Sequence, residues 1–264
     1  MNYVFRFSFL MVFCVLLYSC KNASEIEVID GGLTVVPADD QTKDTTEAFG
    51  TSRYIAHVVD PAAGNLKLVW KDDRDSLYRN AGNLRDALAA QGKQLKFAAN
   101  AGMYQVNRRP LGLFIEDGKQ RNPLNTGTGN GNFHLKPNGV FYLTRDNKAH
   151  VVQTQKFKSG KHVQYATQSG PMLLIDGKVH PKINQGSANL NIRNGVGILP
   201  DGKVILAQSR GFTNFYDFAQ FFKEAGCKNA LFLDGAISRT YLPEQNWEQT
   251  DGNLGVLIAE IIEE

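Results

Sequence analysis

No block of like charge in this sequence is long enough to mark an interaction tail. The 29 Lys+Arg against 26 Asp+Glu leave a formal charge of only +3. A nucleic-acid partner would normally require a concentrated basic face, so that class is set aside. Metal-ligand spacing is missing as well. His57, His134, His150, His162 and His180 are scattered, and no two stand as His-x-x-x-His. Gly127-Thr128-Gly129-Asn130-Gly131-Asn132 has the glycine content of a phosphate cradle without the Gly-Lys-Ser/Thr ending of a P-loop. It is expected instead as a mobile loop at the border of a cleft. There is no Gly-x-Ser-x-Gly elbow, for which Gln168-Ser169-Gly170 is no substitute, and no internal repeat. What remains is 264 residues with 42% hydrophobic content, enough for one sizeable core or two small ones.

Cysteine is scarce, and the N-terminus accounts for most of it. Arg6 is the only charged side chain in residues 1–20. The apolar run through residues 5–17 falls short of the roughly 20 residues a spanning helix requires. It ends at Leu17-Tyr18-Ser19-Cys20, which resembles the lipobox of bacterial lipoproteins. That resemblance implies cleavage after Ser19, a lipid on Cys20, and a domain anchored to a membrane in the bacterial cell envelope, outside the cytoplasm. Cys14 would leave with the signal segment, so Cys227 would stand alone with no intramolecular disulfide, although the compartment would permit one. Cys227 follows Gly226 and precedes an apolar run, the setting of a buried structural cysteine. Residues 21–49 are mostly polar and read as a tether, and residues 50–264 as the working domain.

Within that domain, residues 54–59 and 66–70 have the pattern of a strand pair around Asp60-Pro61 and Gly64-Asn65. Residues 83–91 form an amphipathic helix ended by Gly92, and 95–99 return as a strand. Asp117-Gly118-Lys119, Asp176-Gly177-Lys178 and Asp201-Gly202-Lys203 each lie between apolar runs and are hairpin turns, which discounts their aspartates for chemistry. Asn214 can cap a helix carrying Phe218, Phe221 and Phe222 as far as Gly226. Residues 230–233 are then a buried strand and 254–262 a final one. The expected class is α+β, a strand-rich mixed-sheet domain with a few packed helices.

Four segments offer chemistry. Asp234-Gly235 follows the all-apolar strand, where a rigid element can present a carboxylate to a cleft, although a loop-initiating Asp bonded to its own backbone fits equally well. Asn100 ends another strand and leads into Ala101-Gly102-Met103-Tyr104, small residues that let backbone amides approach a ligand. Gln168-Ser169-Gly170-Pro171 is a polar break before a strand. Arg193 stands just before another, and its planar fork suits a phosphate.

Taken in order, Asn-Ala-Gly-Met-Tyr (100–104), Pro-Leu-Gly-Leu (110–113), Pro-Asn-Gly-Val-Phe-Tyr (137–142), Gln-Ser-Gly-Pro-Met-Leu (168–173), Arg-Asn-Gly-Val-Gly-Ile (193–198) and Ala-Leu-Phe-Leu-Asp-Gly (230–235) resemble the phosphodiester glycosidase family over about residues 53–264. The resemblance implies hydrolysis of a sugar-1-phosphodiester between the anomeric carbon and the phosphate oxygen, with a carbohydrate phosphate as substrate. It implies Asp234 as the carboxylate that activates water or attacks carbon, Arg193 as the stabiliser of departing charge, and Asn100 and Ser169 as orienting groups. Gly102, Tyr104, Gly170, Gly235 and Ser238 would line the substrate. No cofactor is implied, and a divalent ion near Asp234 is left open. Ala236-Ile237 stands where the family's mannose 6-phosphate uncovering enzyme has glycines. A glycan-binding lipoprotein without catalysis therefore stays open as an alternative. So does a phosphodiesterase that cuts at phosphorus.

Overall fold

The structure, a computed structural model, describes residues 52–235 and 237–263. The expected signal segment, its lipid acceptor Cys20 and the tether lie outside the described residues. The chain runs through β1 (Tyr54–Val59), β2 (Leu66–Val69), α1 (Ala81–Ala89), β3 (Lys93–Asn100), β4 (Phe114–Glu116) and β5 (Lys119–Asn122). It continues as β6 (Gly139–Thr144), β7 (Ala149–Gln153), β8 (Val163–Ser169), β9 (Met172–Ile175), β10 (Lys178–Val179), β11 (Asn194–Ile198) and β12 (Val204–Ser209). Helix α2 (Phe215–Glu224) precedes β13 (Ala230–Phe232), β14 (Thr240–Leu242), β15 (Trp247–Glu248) and β16 (Leu257–Glu263).

Three sheets result, in the orders β1-β12-β11-β13-β9-β10, β15-β14-β3-β16-β2 and β5-β4-β8-β6-β7. The strand-rich α+β class is as expected. The sheets, expected as mixed, pair antiparallel at every named ladder, because hairpins such as β6–β7 and β11–β12 reverse the chain instead of crossing it over. Strand periodicity assigns the faces. On β12, Val204 and Leu206 point into a central core that also takes Leu68, Phe97, Phe114, Phe141, Leu231 and Ile258 from all three sheets. Ile205 and Ala207 of the same strand face Phe218 and Phe222 of α2. Helix α1 covers the second sheet in the same way, with Leu84 and Leu88 against Leu257 and Ala259.

Local punctuation explains the element ends. The Asn80 side chain accepts from Asn83 N at the start of α1, and Asn214 accepts from Asp217 N at the start of α2. The Asp-Gly turns close three hairpins. Asp117-Gly118 and Asp176-Gly177 adopt positive φ at both positions (49° and 71°, 49° and 79°), as a tight two-residue hairpin requires.

One expected pairing is corrected. β1 and β2 do not pair with each other: Tyr54 to Val59 pair with β12, and β2 pairs with β16. Between them Pro61–Ala63 forms a 3-10 turn whose start is held by the Asp60 side chain accepting from Ala62 N. That turn sends the chain from one sheet into another. β1 is buried on both faces and needs a sheet that α2 can cover, which a local hairpin does not supply.

Candidate active site

The ends of β3, β8 and β13 and the start of β11 meet at one place, and Asn194, the first residue of β11, fastens three of them. Its Nδ2 donates to Asn100 O at 2.9 Å, its Oδ1 accepts from Asp234 N at 2.7 Å, and its own carbonyl accepts from Leu233 N at 3.1 Å. β8 joins through Ser169, whose hydroxyl donates to Leu233 O. Asn100 Oδ1 accepts from Arg239 N at 2.8 Å, which fixes the segment after Asp234. Asp234 is thus held from behind by backbone contacts on every side, at the end of a strand whose residues are fully buried.

Burial pushes the Asp234 carboxyl up to about 6, opposed by Gly235 N donating to its Oδ1 at 2.9 Å and by the nearby Asn100 side chain. Among the described residues Asp234 forms no ion pair. Asn100 Nδ2 beside it is buried without a hydrogen-bond partner. The bond from Gly235 N is the loop-initiating contact that the sequence equally allowed. The buried Asn100 amide beside the unpaired carboxylate is what that reading leaves over. Tyr104 borders the same place: burial first and the Asp234 charge second push its phenol up to about 12, so it stays protonated. Its hydroxyl donates to Asn253 O at 3.2 Å, and the Arg108 guanidinium lies 5.3 Å from its ring centre.

Arg193 adjoins this cluster, with its guanidinium directed at the 189 and 213 segments. It is 1% exposed. Its Nε donates to Thr213 O at 3.3 Å and its Nη2 to Asn189 O at 2.9 Å and Asn189 Oδ1 at 3.2 Å. The guanidinium carbon sits 3.8 Å from the Phe215 ring centre and 5.5 Å from that of Phe232. Among the described residues it has no carboxylate partner, and burial lowers its pKa to about 10. The Asp234 and Arg193 segments pass close to each other. A Cβ on Gly235 would come within 2.7 Å of Phe232 Cζ and 3.0 Å of Ile192 O, so only glycine lets the Asp234 loop pass this close to the Arg193 segment.

The other residues expected to line the substrate are placed differently. Only Asp234 and Tyr104 of the group keep partial exposure. Ser169 is fully buried with its hydroxyl committed to Leu233, so it braces the strand end. Gly102 N donates to Thr167 Oγ1 at 3.1 Å, and a Cβ there would fall inside contact distance of Thr167 Oγ1 and Gln168 O, so this glycine serves packing and its amide is occupied. A Cβ on Gly170 would meet Asn138 Cβ at 2.6 Å and Phe133 O at 2.9 Å, which places the end of the glycine-rich 127–132 segment against the Ser169 turn. Ser238 is 2% exposed and its hydroxyl donates to Asp234 O. Asn189, Thr213 and Asn194 were not among the expected residues; only Asn194 left a trace, within Arg193-Asn194-Gly195.

Cys227 is free and buried, and burial pushes its thiol up to about 12, so it is inert packing. Among the described residues no three His, Cys, Asp or Glu side chains are grouped to hold a metal ion, and no helix is long and apolar enough to cross a membrane. A polar cavity of about 490 Å³ lies elsewhere, between Trp70 and the β4–β5 hairpin. Four of its five acids are engaged, Asp72 by Arg74, Asp75 by Lys71, Glu116 by Arg121 and Asp117 by the Tyr165 hydroxyl.

Comparison with known proteins adds to this geometry. The chain is 39% identical over 188 residues to the uncharacterized protein YigE of Escherichia coli, covering 71% of this chain and 73% of that protein. Among solved structures, one of a hypothetical protein from Synechocystis shares the fold at a TM-score of 0.51 and 14% identity, covering 80% of this chain and 59% of that one. The catalytic domain of zebrafish N-acetylglucosamine-1-phosphodiester alpha-N-acetylglucosaminidase is similar at a TM-score of 0.49 and 17% identity, covering 81% and 90%. The family model described as phosphodiester glycosidase matches residues 93–256, from the start of β3 to the approach to β16 and so across Asn100, Arg193 and Asp234, and the chain belongs to that family.

Proposed function

We propose that this protein hydrolyses a sugar-1-phosphodiester in an envelope or scavenged glycan, cutting between the anomeric carbon and the phosphate oxygen. The observation that carries the reading is the pair of opposite buried charges, each without a partner of its own. Among the described residues Asp234 has no cation and Arg193 has no carboxylate. Burying a charge unpaired costs several kcal/mol, and a phosphorylated sugar that places its phosphate toward Arg193 and its anomeric carbon toward Asp234 offsets both costs.

The chemistry follows from the residue types. The departing phosphate monoester is a good leaving group, so the second carboxylic acid of an ordinary glycosidase pair is less needed. As the C–O bond breaks, its electron pair goes to the phosphate oxygen, and the Arg193 guanidinium stabilises the charge gained there. Asp234, ionised above about pH 6, either takes a proton from the water that attacks the anomeric carbon or attacks that carbon itself. Inversion or retention in the product separates the two routes. Asn100 Nδ2, buried without a partner, supplies a donor beside the reacting carbon, and Tyr104 supplies a neutral hydroxyl. A lipid on Cys20 and an envelope location complete the proposal, supported by the apolar run of residues 5–17 and its Leu17-Tyr18-Ser19-Cys20 ending.

The test is turnover across a panel of glycosyl-1-phosphodiesters in oxygen-18 water. Label on the sugar hydroxyl is expected. Label in the phosphate means cleavage at phosphorus, and binding without turnover across the panel means a glycan-binding protein.

A further inference from the structure

Among the described residues, four large apolar side chains are exposed: Val106 at 95%, Phe212 at 76%, Leu190 at 52% and Ile237 at 47%. They come from four different loops, yet each stands beside a residue of the site. Val106 is two residues from Tyr104. Leu190 follows Asn189 and Phe212 precedes Thr213, the two partners of Arg193. The backbones of Asn191 and Thr213 bridge those two loops. Ile237 precedes Ser238, whose hydroxyl donates to Asp234 O. Exposed apolar residues scattered singly over a surface are ordinary, but here all four lie within two residues of a site residue or of a partner of Arg193.

The charge of these loops is one-sided. Segments 104–110, 184–192, 210–214 and 235–239 contain Arg108, Arg109, Arg210 and Arg239 and no Asp or Glu, Arg193 being buried behind them. Asp251, from the neighbouring 249–254 segment, pairs with Arg239, while among the described residues Arg108 and Arg109 form no ion pair. The chain as a whole is close to charge balance, so an acid-free rim is a local arrangement. Apolar side chains interleaved with arginines are complementary to an anionic lipid surface, with apolar groups entering the acyl layer and guanidinium groups meeting headgroup phosphates.

Resting on the sugar-phosphodiester reading above, we infer that the alcohol on the far side of the phosphate is a long apolar chain held in an anionic lipid layer, and that Val106, Leu190, Phe212 and Ile237 enter that layer around the site. The substrate class is therefore a lipid-borne glycosyl phosphodiester. The sugar reaches Asp234 from the water side while the chain stays in the membrane.

The experiment compares two probes on the full-length protein: the hexose-1-phosphodiester of ethanol in solution, and that of octadecanol embedded in phosphatidylglycerol vesicles. The quantity read is the ratio of kcat/KM for the long-chain probe to that for the ethyl probe. Wild type is expected to favour the long chain by about tenfold or more. The ratio should fall toward one in V106S/L190S/F212S/I237S, with Tm unchanged because all four side chains are exposed. Any lipid anchor is the same in both proteins, so it does not enter the comparison. Phosphatidylcholine in place of phosphatidylglycerol should lower the wild-type ratio, and equal ratios in the two lipids overturn the anionic surface. A wild-type ratio near one, or a variant ratio equal to wild type, overturns the inference while leaving hydrolysis of the ethyl probe to support the proposed function. Turnover of neither probe overturns both.

Discussion

Asp234 costs the fold stability where it stands. Its carboxyl titrates near 6 in the folded protein against an ordinary value of 3.8, so the folded state holds the proton more tightly than the unfolded chain. Stability therefore rises as pH falls from about 6 toward 4, and the cost is fully present above pH 6. Asp234→Asn should raise stability at pH 8 by on the order of 2 kcal/mol, flatten that pH dependence in thermal melts, and abolish turnover. An active or less stable variant would contradict the assignment. In wild type, kcat/KM should decline below about pH 6 as the carboxylate is lost. Arg193→Lys keeps the charge but cannot reach both Thr213 O and Asn189 O as the planar fork does, so kcat should fall about 100-fold with the fold retained. The placement of Asp234 after a strand and of Arg193 before one was legible in the sequence, because each adjoins an apolar run. Asn194 was not, since its partners are backbone atoms 94 and 40 residues away and no side-chain pattern records them.

At the scale of elements, hairpins and helices were readable because their determinants are local: Asp-Gly at positive φ, Asn214 as a cap, apolar residues at helical spacing. Which strand pairs with which was not. The 54–59 and 66–70 segments look like hairpin arms, and only the sheet that each must complete shows that they separate. Glycines were legible as special but not as to why. Gly102 was expected to open an amide to a ligand, and it instead lets β3 run close against β8. Gly102→Ala should accordingly lower stability by about 1–3 kcal/mol, seen as a lower denaturant midpoint, because the new methyl meets backbone as well as the Thr167 hydroxyl. An unchanged midpoint would return this position to the substrate-binding role.

At the scale of the whole molecule, the three sheets share one central core, and the final strand is structural to it. β16 lies between β3 and β2, and Ile258 is fully buried in that core. A chain ending at residue 256 should give no cooperative thermal transition by circular dichroism, and a sharp melt would show that the second sheet tolerates the loss. The position of β16 also sets a clock on biosynthesis. β2 has no partner until residues 257–260 exist, and β1 waits for residues 204–209. At roughly 5–20 residues per second, β2 stays unpaired for on the order of ten to forty seconds after it is made. β1 gains its partner about fifty residues before β2 does, so the second sheet is the last to close, and the fold is complete only after translation has delivered the last strand.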